Sequence, residues 1–285
     1  MSRGVASLLA CILLTTAAAA GQAPIFSSRV DAVRVDVLVT DRGRVVRGLG
    51  PGDFELLDDG VVQQVEFATF EQMPLSVVLV FDMSDSVAGE RLEHLRAAGL
   101  AVVDGLEPED RVALVTFSHA LSIEAPLTSD RARVRGALQR ASGAGRTALL
   151  DASHAGMLLA EPHGGRTLMI LFSDGVDTAS LLTGGEVLET ARGSDVVVYG
   201  VVPAAVRDGG FPAALAELTG GALLRVDSTA DLAAAFTRIL DEFRQRYVLS
   251  FTPRGVRAGG WHRLQVRVKG RSVTVRARPG YQAAP

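Results

Sequence analysis

The sequence contains very little cysteine and very little lysine, and both shortages narrow its range of functions. Its single cysteine, Cys11, leaves the chain without an intramolecular disulfide or a cysteine-based zinc or iron–sulfur site. Its single lysine, Lys269, leaves none for a P-loop, a Schiff base in the core or a kinase active site. Acidic residues (32) slightly outnumber basic ones (29), which argues against a nucleic-acid partner. With 285 residues, 48% of them hydrophobic, the chain is nevertheless expected to bury a sizeable core.

The first 20 residues have the pattern of a secretory signal peptide. Arg3 provides a basic start, residues 5–20 are apolar and uncharged, and Ala18-Ala19-Ala20 has the small-x-small pattern of a signal peptidase site. We therefore expect cleavage after Ala20 and a secreted or periplasmic protein. An uncleaved membrane anchor and a lipoprotein attached through Cys11 are the alternatives. No other segment of the sequence is long and apolar enough to span a bilayer.

Residues 25–72 predict a small antiparallel β segment. Residues 29–41 alternate between apolar and polar side chains, as a half-buried strand does. Two further β-type runs, 53–57 and 61–70, flank Asp58-Asp59-Gly60, and an Asp-Gly step between such runs is a strong hairpin signal. Because three strands are marginally stable alone, this segment needs another part of the chain to pack against.

Residues 73–245 alternate between strand and helix patterns, which predicts an α/β domain. The run 75–82 (LSVVLVFD) is almost continuously apolar, as expected of a strand buried on both faces of a parallel sheet. Further strands are predicted at 111–117, 166–172, 195–202 and 222–226, an edge strand at 122–127, and helices at 87–106, 129–141, 148–161, 186–192, 212–218 and 230–244. Such alternation indicates a doubly wound sheet.

The C-terminal segment, residues 246–281, returns to β patterns. Strands are predicted at 247–252, 263–269 and 273–277. Since the N-terminal segment also lacks a packing partner, the simplest arrangement pairs the two segments in one small β-sandwich. The α/β domain is then inserted between them.

Hydroxyl and carboxylate side chains follow directly after several of the predicted parallel strands. In an open α/β sheet, ligands bind beyond the carboxyl ends of the strands, at the point where the strand order reverses. Oxygen ligands without histidine or cysteine suit Mg²⁺ or Mn²⁺, with Ca²⁺ as an alternative, and argue against zinc. The candidate metal ligands are Asp82, Ser84, Ser86, Thr147 and Asp174.

These positions resemble the metal-ion-dependent adhesion site (MIDAS) of the von Willebrand factor type A (VWA) family. That family has Asp-x-Ser-x-Ser after its first strand, a separate Thr, and a separate Asp commonly followed by Gly, and all five positions are filled here. The resemblance covers about residues 73–245. It implies a Rossmann-like domain with a mostly parallel sheet, and a metal whose free coordination position accepts a carboxylate from a partner. The element Leu49–Phe54 also resembles a segment that precedes the domain in a bacterial secreted subgroup.

Several residues at and near this site have plainer interpretations. The Asp-x-Ser-x-Ser run would also suit the N-terminal cap of the helix that follows it. Asp85 and Asp177 are interpreted as solvated or supporting neighbours of the site, and Asp151 as a carboxylate favoured by the dipole of its helix. The five histidines show no metal-binding spacing and are interpreted as surface or core residues.

The sequence therefore predicts a binding module without enzymatic activity, located in the bacterial cell envelope or the secreted space. Through Mg²⁺ or Mn²⁺ it would capture an acidic side chain of a protein partner. One alternative is a magnesium-dependent phosphohydrolase with Asp82 as nucleophile, although Ser84 stands where the general acid would be and no lysine is available to hold a phosphoryl group. The other is a structural envelope component whose metal only stabilises the fold.

Overall fold

The computed structural model describes residues 32–70, 73–160, 165–174, 176–206 and 209–283. Residues 31–285 form one unit. The predicted signal peptide, with Cys11 and the cleavage position after Ala20, lies outside the described residues. Within the described ranges, no helix has the length and apolarity needed to cross a membrane.

The N-terminal part of the described chain consists of short strands. They are β1 (Val33–Asp41), β2 (Arg44–Val45), β3 (Phe54–Asp58), β4 (Val61–Gln63) and β5 (Val65–Thr69). Between β3 and β4, both Asp59 (φ 45°) and Gly60 (φ 85°) have positive φ, as the central residues of a type I′ turn do. The predicted hairpin at Asp58–Gly60 is confirmed.

The central sheet contains the long apolar runs of the sequence. Its strands are β6 (Leu75–Asp82), β7 (Arg111–Phe117), β8 (Leu121–Thr128), β9 (Arg166–Phe172), β10 (Val197–Pro203) and β11 (Ala222–Val226). They lie in the order β11-β10-β9-β6-β7-β8, and neighbouring strands are parallel except β8, which is antiparallel to β7. Alternate residues of β6 enter different apolar clusters, Val77 and Leu79 one and Val78 and Val80 the other. The run is continuously apolar because both faces of the strand are buried.

Helices cover both faces of this sheet. They are α1 (Glu90–Asp104), α2 (Arg131–Arg140), α3 (Leu149–Ala160), α4 (Gly184–Gly193), α5 (Gly210–Thr219) and α6 (Leu232–Arg244). Apolar residues of α1, α2 and α6 join the cluster on one face, and those of α3, α4 and α5 join the cluster on the other. The α/β content predicted from the sequence is confirmed. The start of α1 was predicted too early, at Val87, because residues 85–87 form a 3₁₀ turn and Gly89 has a φ of 70°.

The chain after α6 forms further strands that pair with the N-terminal ones. They are β12 (Tyr247–Phe251), β13 (Gly260–Val268), β14 (Thr274–Arg276) and β15 (Gly280–Ala283). One sheet has the order β14-β1-β12-β5, with β2 paired to β1, and the other has the order β15-β13-β3-β4. Side chains from both sheets share one apolar cluster, which includes Val37, Phe54, Tyr247 and Leu264. The short β15 was not predicted, because four residues are too few to show an alternating pattern.

The prediction of one strand over residues 61–70 is wrong, because the chain changes sheets within this run. β4 pairs with β3, whereas β5 pairs with β12. At the break, the Gln63 side chain donates to the carbonyl oxygen of Arg254 and accepts from its backbone N–H, both at 2.9 Å. The N-terminal segment is therefore not a separate antiparallel unit, since its strands are divided between two sheets that also contain C-terminal strands.

Buried arginines join the flanking strands to the α/β part. Arg166, the first residue of β9, donates through Nε to Asp36 Oδ1 of β1 at 2.7 Å and through Nη2 to the carbonyl oxygen of Phe243 at 2.9 Å. Arg246, fully buried, donates to the hydroxyl of Tyr199 at 2.8 Å. Because Arg166 stands at the amino end of β9, its contact with β1 lies at the end of the strand opposite Asp174.

Candidate metal site

The carboxyl ends of β6 and β9 lie side by side, where the strand order reverses. The two strands are parallel neighbours with Phe81 opposite Phe172, while β7, the next strand in the chain, lies on the other side of β6. Asp82 is the last residue of β6, and Asp174 follows two residues after the end of β9. Open α/β sheets bind ligands at such a switch point. The fold thus brings the two predicted carboxylate ligands to one place.

A chain of hydrogen bonds links four of the five predicted ligand residues. The backbone N–H of Ser84 donates to Asp82 Oδ1 at 2.9 Å. The hydroxyl oxygens of Ser84 and Ser86 are 3.0 Å apart, and the Ser86 hydroxyl donates to Asp174 Oδ1 at 2.6 Å. These oxygen atoms therefore form one continuous polar cluster at the sheet edge.

Thr147, the fifth residue, is brought to the same edge by its loop. Gly145 donates its N–H to Asp85 Oδ1 at 2.8 Å, and Asp85 donates its N–H to the carbonyl oxygen of Gly145 at 3.1 Å. Thr147 itself is buried, and its N–H donates to the hydroxyl of Thr178 at 3.1 Å. The loop before α3 is thereby fixed both to the Asp-x-Ser-x-Ser segment and to the segment that follows Asp174.

The interpretation of the Asp-x-Ser-x-Ser run as a helix cap is wrong. The N-cap of α1 is Gly89, which has no side chain to cap the helix. The Ser84 side chain also makes no capping hydrogen bond to the 3₁₀ turn that follows it. The hydroxyls of Ser84 and Ser86 instead face each other and Asp174. A role within the polar cluster therefore explains these side chains better than a role in starting the helix.

Asp82 is a fully buried carboxylate that forms no ion pair with any of the described residues. Burial raises the pKa of its carboxyl above the ordinary value and outweighs the hydrogen bonds from Ser84 and Ser173, which lower that pKa; the nearby charge of Asp174 raises it by a smaller amount. Two neighbouring carboxylates with three hydroxyls are the hard oxygen donors that Mg²⁺ and Mn²⁺ prefer, and a bound cation would offset the buried charge. The residues at this edge therefore fit a divalent metal ion.

The segment that supplies most of this edge also matches a known family model. Residues 77–176 match the von Willebrand factor type A domain. The matched VWA segment includes all five predicted ligand residues.

Two curated proteins are similar to parts of the chain. An uncharacterized protein of Synechocystis sp. is 34% identical over 80 residues, which are 27% of this chain and 19% of that protein. The inter-alpha-trypsin inhibitor heavy chain H4 of Bos taurus is 29% identical over 147 residues, which are 47% of this chain and 16% of that protein. The chain therefore spans less than a fifth of the length of either relative.

Solved structures share the VWA fold at low sequence identity. A von Willebrand factor type A protein from Catenulispora acidiphila superposes with a TM-score of 0.55 and 12% identity, covering 89% of this chain and 72% of that one. The von Willebrand factor domain of a type V pili tip protein from Porphyromonas gingivalis gives 0.51 and 15%, covering 60% and 95%. These likenesses show the fold of the α/β part.

Two residues that were not included in the prediction contact the predicted metal ligands directly. Ser173 donates its hydroxyl to Asp82 Oδ2 at 2.7 Å, and its place immediately before Asp174 could have indicated this. Arg91 lies with Nη1 3.3 Å from Asp174 Oδ2. The signal for Arg91 was its position in the first turn of a helix, where the helix dipole disfavours a cation.

Acidic residues beside the site hold the backbone of the loops around it. Asp177 Oδ1 accepts the N–H of Leu150 at 3.3 Å. The carboxylate of Asp151 accepts the N–H groups of Leu181 and Leu182, both at 2.9 Å. Through these contacts the loop after Asp174 is anchored to the first turn of α3.

A second polar cluster, in the flanking sheets, was also missed. Ligand atoms of Asp58, Asp59 and His262 lie within 4.8 Å of one another, so these residues could hold a metal ion. The buried Asp58 carboxylate is already hydrogen-bonded, however, to His262 Nδ1 and to the Tyr281 hydroxyl, both at 2.8 Å. This network joins β3, β13 and β15. No local motif marks it, because Asp58 and His262 are 204 positions apart.

Proposed function

We propose that this protein is a metal-ion-dependent protein-binding module of the adhesion type, which captures an acidic side chain of a partner. The metal, Mg²⁺ or Mn²⁺, would be held by the five-residue site described above. The observation that carries the proposal is the fully buried Asp82 carboxylate at the strand switch point, without an ion pair among the described residues and connected through hydroxyls to a second carboxylate. The VWA match of the same segment supports it.

The five predicted ligand residues favour binding of an anion at the metal over catalysis of a reaction on that anion. A bound divalent ion supplies a positive centre that can accept a carboxylate oxygen from outside. Ser84, Ser86 and Thr147 are neutral donors, so only Asp82 and Asp174 offset the charge of the ion, and an ion held partly through water stays attractive to a further carboxylate. Within this arrangement Ser173 orients Asp82 by hydrogen bonding. We propose no enzymatic activity.

The surface beside the site supports a protein as the partner. Val176 and Leu181, on the loop after Asp174, have relative exposures of 81% and 93%, although both are apolar. Asp151 fixes the backbone of this loop at Leu181. Apolar side chains next to a polar centre are the composition expected of an interface that binds a folded protein or a peptide.

The proposed architecture is a Rossmann-like doubly wound VWA domain, residues 73–245, carried on a β-sandwich made from segments 25–72 and 246–281. The paired N- and C-terminal strands and their shared apolar cluster support this arrangement. We also propose that the protein is secreted or periplasmic. The signal-peptide pattern of residues 1–20 supports this location, as does the likeness in fold to a domain of a pili tip protein.

Calorimetric titration of Mg²⁺ and Mn²⁺ tests the metal part of the proposal. The mature protein, beginning at Gly21, is compared with Asp82→Ala and with Asp104→Ala, which removes an exposed carboxylate on α1. We expect one ion to bind the wild type and Asp104→Ala, and none to bind Asp82→Ala. At about 100-fold excess of metal over Kd, the bound ion should stabilise the fold by about 2.7 kcal/mol. Equal binding by all three proteins, or by none, would refute the site.

Capture of a carboxylate is tested on the manganese-loaded protein. Acetate serves as a probe of the open coordination position, and the relaxation of water protons by bound Mn²⁺ is the measurement. Acetate that displaces a metal-bound water should lower the relaxation rate in a saturable manner, whereas chloride at equal ionic strength should not. An equal response to the two anions would exclude carboxylate capture at the ion.

A further inference from the structure

Arg91 places a positive charge directly on one of the predicted metal ligands. Its Nη1 lies 3.3 Å from Asp174 Oδ2 and donates to the carbonyl oxygen of Ser86 at 3.0 Å. The hydroxyl of Ser86 donates to the other carboxylate oxygen of Asp174 at 2.6 Å. Ser86 therefore contacts one oxygen of the Asp174 carboxylate and Arg91 contacts the other.

The two partners of this ion pair differ in exposure. The side chain of Asp174 is 6% exposed, whereas that of Arg91 is 57% exposed. The guanidinium can therefore move into solvent while the carboxylate stays in the polar cluster. Among the described residues, Arg91 is the side chain that contacts Asp174 Oδ2, so its displacement removes that contact.

The position of Arg91 in its helix is unfavourable without Asp174. Arg91 is the second residue of α1, and the N-terminal end of a helix carries a positive partial charge that disfavours a cation. The acids of the same turn are close to other side chains, since Glu93 accepts from Arg96 at 2.6 Å and Glu90 lies 3.9 Å from His94. The carboxylate of Asp174 is thus the compensating charge that this arginine contacts.

We propose that Arg91 is a built-in competitor for the metal, which neutralises Asp174 in the metal-free protein and must leave when a divalent ion binds. This inference rests on the proposed function and adds a regulation of the same site. The guanidinium and the ion are attracted to one carboxylate and repel each other, so Arg91 lowers the affinity of the site for metal. The site then fills only where divalent metal is plentiful.

Titration of Mg²⁺ into the mature protein at low ionic strength tests this role with three variants. Arg91→Gln removes the charge and keeps a polar side chain, and Arg91→Lys keeps the charge. Arg135→Gln removes the same charge at a distance, from an arginine on α2 that pairs with Asp104. A melting transition measured for each variant confirms that it is folded.

We expect Arg91→Gln to tighten the Kd for Mg²⁺ about tenfold, equivalent to about 1.4 kcal/mol. Arg91→Lys should stay within about threefold of the wild type. Arg135→Gln should change the Kd far less than Arg91→Gln does, because Arg135 pairs with Asp104 and does not contact a predicted metal ligand. Added salt should reduce the difference between Arg91→Gln and the wild type, because salt screens the repulsion between the arginine and the ion.

The possible results separate this inference from the proposed function. Equal Mg²⁺ affinity of the wild type and Arg91→Gln, with one ion bound by each, overturns the competition and leaves the metal site intact. An equal gain in Arg135→Gln also overturns it, because net charge alone would then explain the effect. Absence of binding in the wild type and Arg91→Gln alike overturns both. Binding of one ion by each protein, with a tighter Kd in Arg91→Gln than in the wild type and Arg135→Gln, supports the competition.

Discussion

Replacing a helical glycine with alanine should have opposite effects on the free energy of unfolding at Gly156 and at Gly136. In an unconstrained helix this change is stabilising by about 1 kcal/mol, because alanine loses less backbone entropy on folding. Gly156 lies in α3, which follows the Thr147 loop and packs on the central sheet. A Cβ at Gly156 would lie 2.8 Å from both Met169 Sδ and Val80 Cγ2, distances that real Cβ atoms do not adopt.

The cost at Gly156 follows from the rigidity of these neighbours. Val80 and Met169 are fully buried on adjacent strands, so the added methyl group must separate α3 from the sheet or force strained rotamers. Overpacking of this kind costs about 1–3 kcal/mol, which exceeds the gain in helix propensity. After subtraction of the gain in helix propensity, we expect Gly156→Ala to lower the free energy of unfolding by up to about 2 kcal/mol.

Gly136, in the middle of α2, provides the matched control. There a Cβ would lie 3.1 Å from Nη1 of Arg140, the mobile end of a long side chain that can move away. Gly136→Ala should therefore raise the free energy of unfolding by about 0.5–1 kcal/mol. Urea denaturation of both variants in the presence of a chelator measures the two changes. If Gly156→Ala were stabilised as much as Gly136→Ala, α3 could not pack on β6 and β9 as described.

Three further predictions concern contacts away from the helices and at the site. Asp36→Ala leaves the buried guanidinium of Arg166 without its carboxylate, so urea denaturation should show a loss of about 3 kcal/mol, and a loss below about 1 kcal/mol would contradict a buried ion pair. Tyr281→Phe removes the hydroxyl that donates a hydrogen bond to Asp58, which should lower the free energy of unfolding by about 1–3 kcal/mol. Burial raises the pKa of the Tyr281 phenol above its value in the unfolded chain, so the phenol stabilises the fold fully below pH ~10. As the pH rises further, ionisation favours the unfolded chain and this stabilisation is progressively lost. The difference in stability between wild type and Tyr281→Phe should therefore narrow above pH ~10, and a constant difference would refute this. Ser86→Ala should weaken Mg²⁺ binding at least about tenfold in calorimetry, since it removes a predicted ligand and the hydrogen bond to Asp174 Oδ1, and unchanged affinity would place the ion elsewhere.

The sequence alone predicted the α/β part well because burial leaves a local signature there. The apolar run of β6 is continuous since both faces of the strand are covered, and the end of that run marks Asp82. The adjacency of Asp82 and Asp174 was also predictable, because parallel strands bring their carboxyl ends to one edge. The cap interpretation of Ser84 and Ser86 could be rejected only once Gly89 was seen to begin the helix.

The flanking strands were less predictable, because pairing between distant segments leaves no local signature. The division of residues 61–70 between two sheets depends on Gln63 meeting the turn at Arg254, 191 positions away. The buried network of Asp58, His262 and Tyr281 likewise depends on which strands become neighbours.

The sequence by itself determined the secondary-structure rhythm of this protein and the oxygen-rich residue types at its strand ends. Local periodicity and residue chemistry are sufficient for both. Only the tertiary structure decided what surrounds those oxygens: Ser173 on Asp82 and Arg91 on Asp174. The physical reason is that a charge or hydroxyl acts over a few ångströms in space, and folding alone sets which residues come that close. The burial of Asp82 and the contact of Arg91 with Asp174 are therefore properties of the fold, although the sequence contains all three residues.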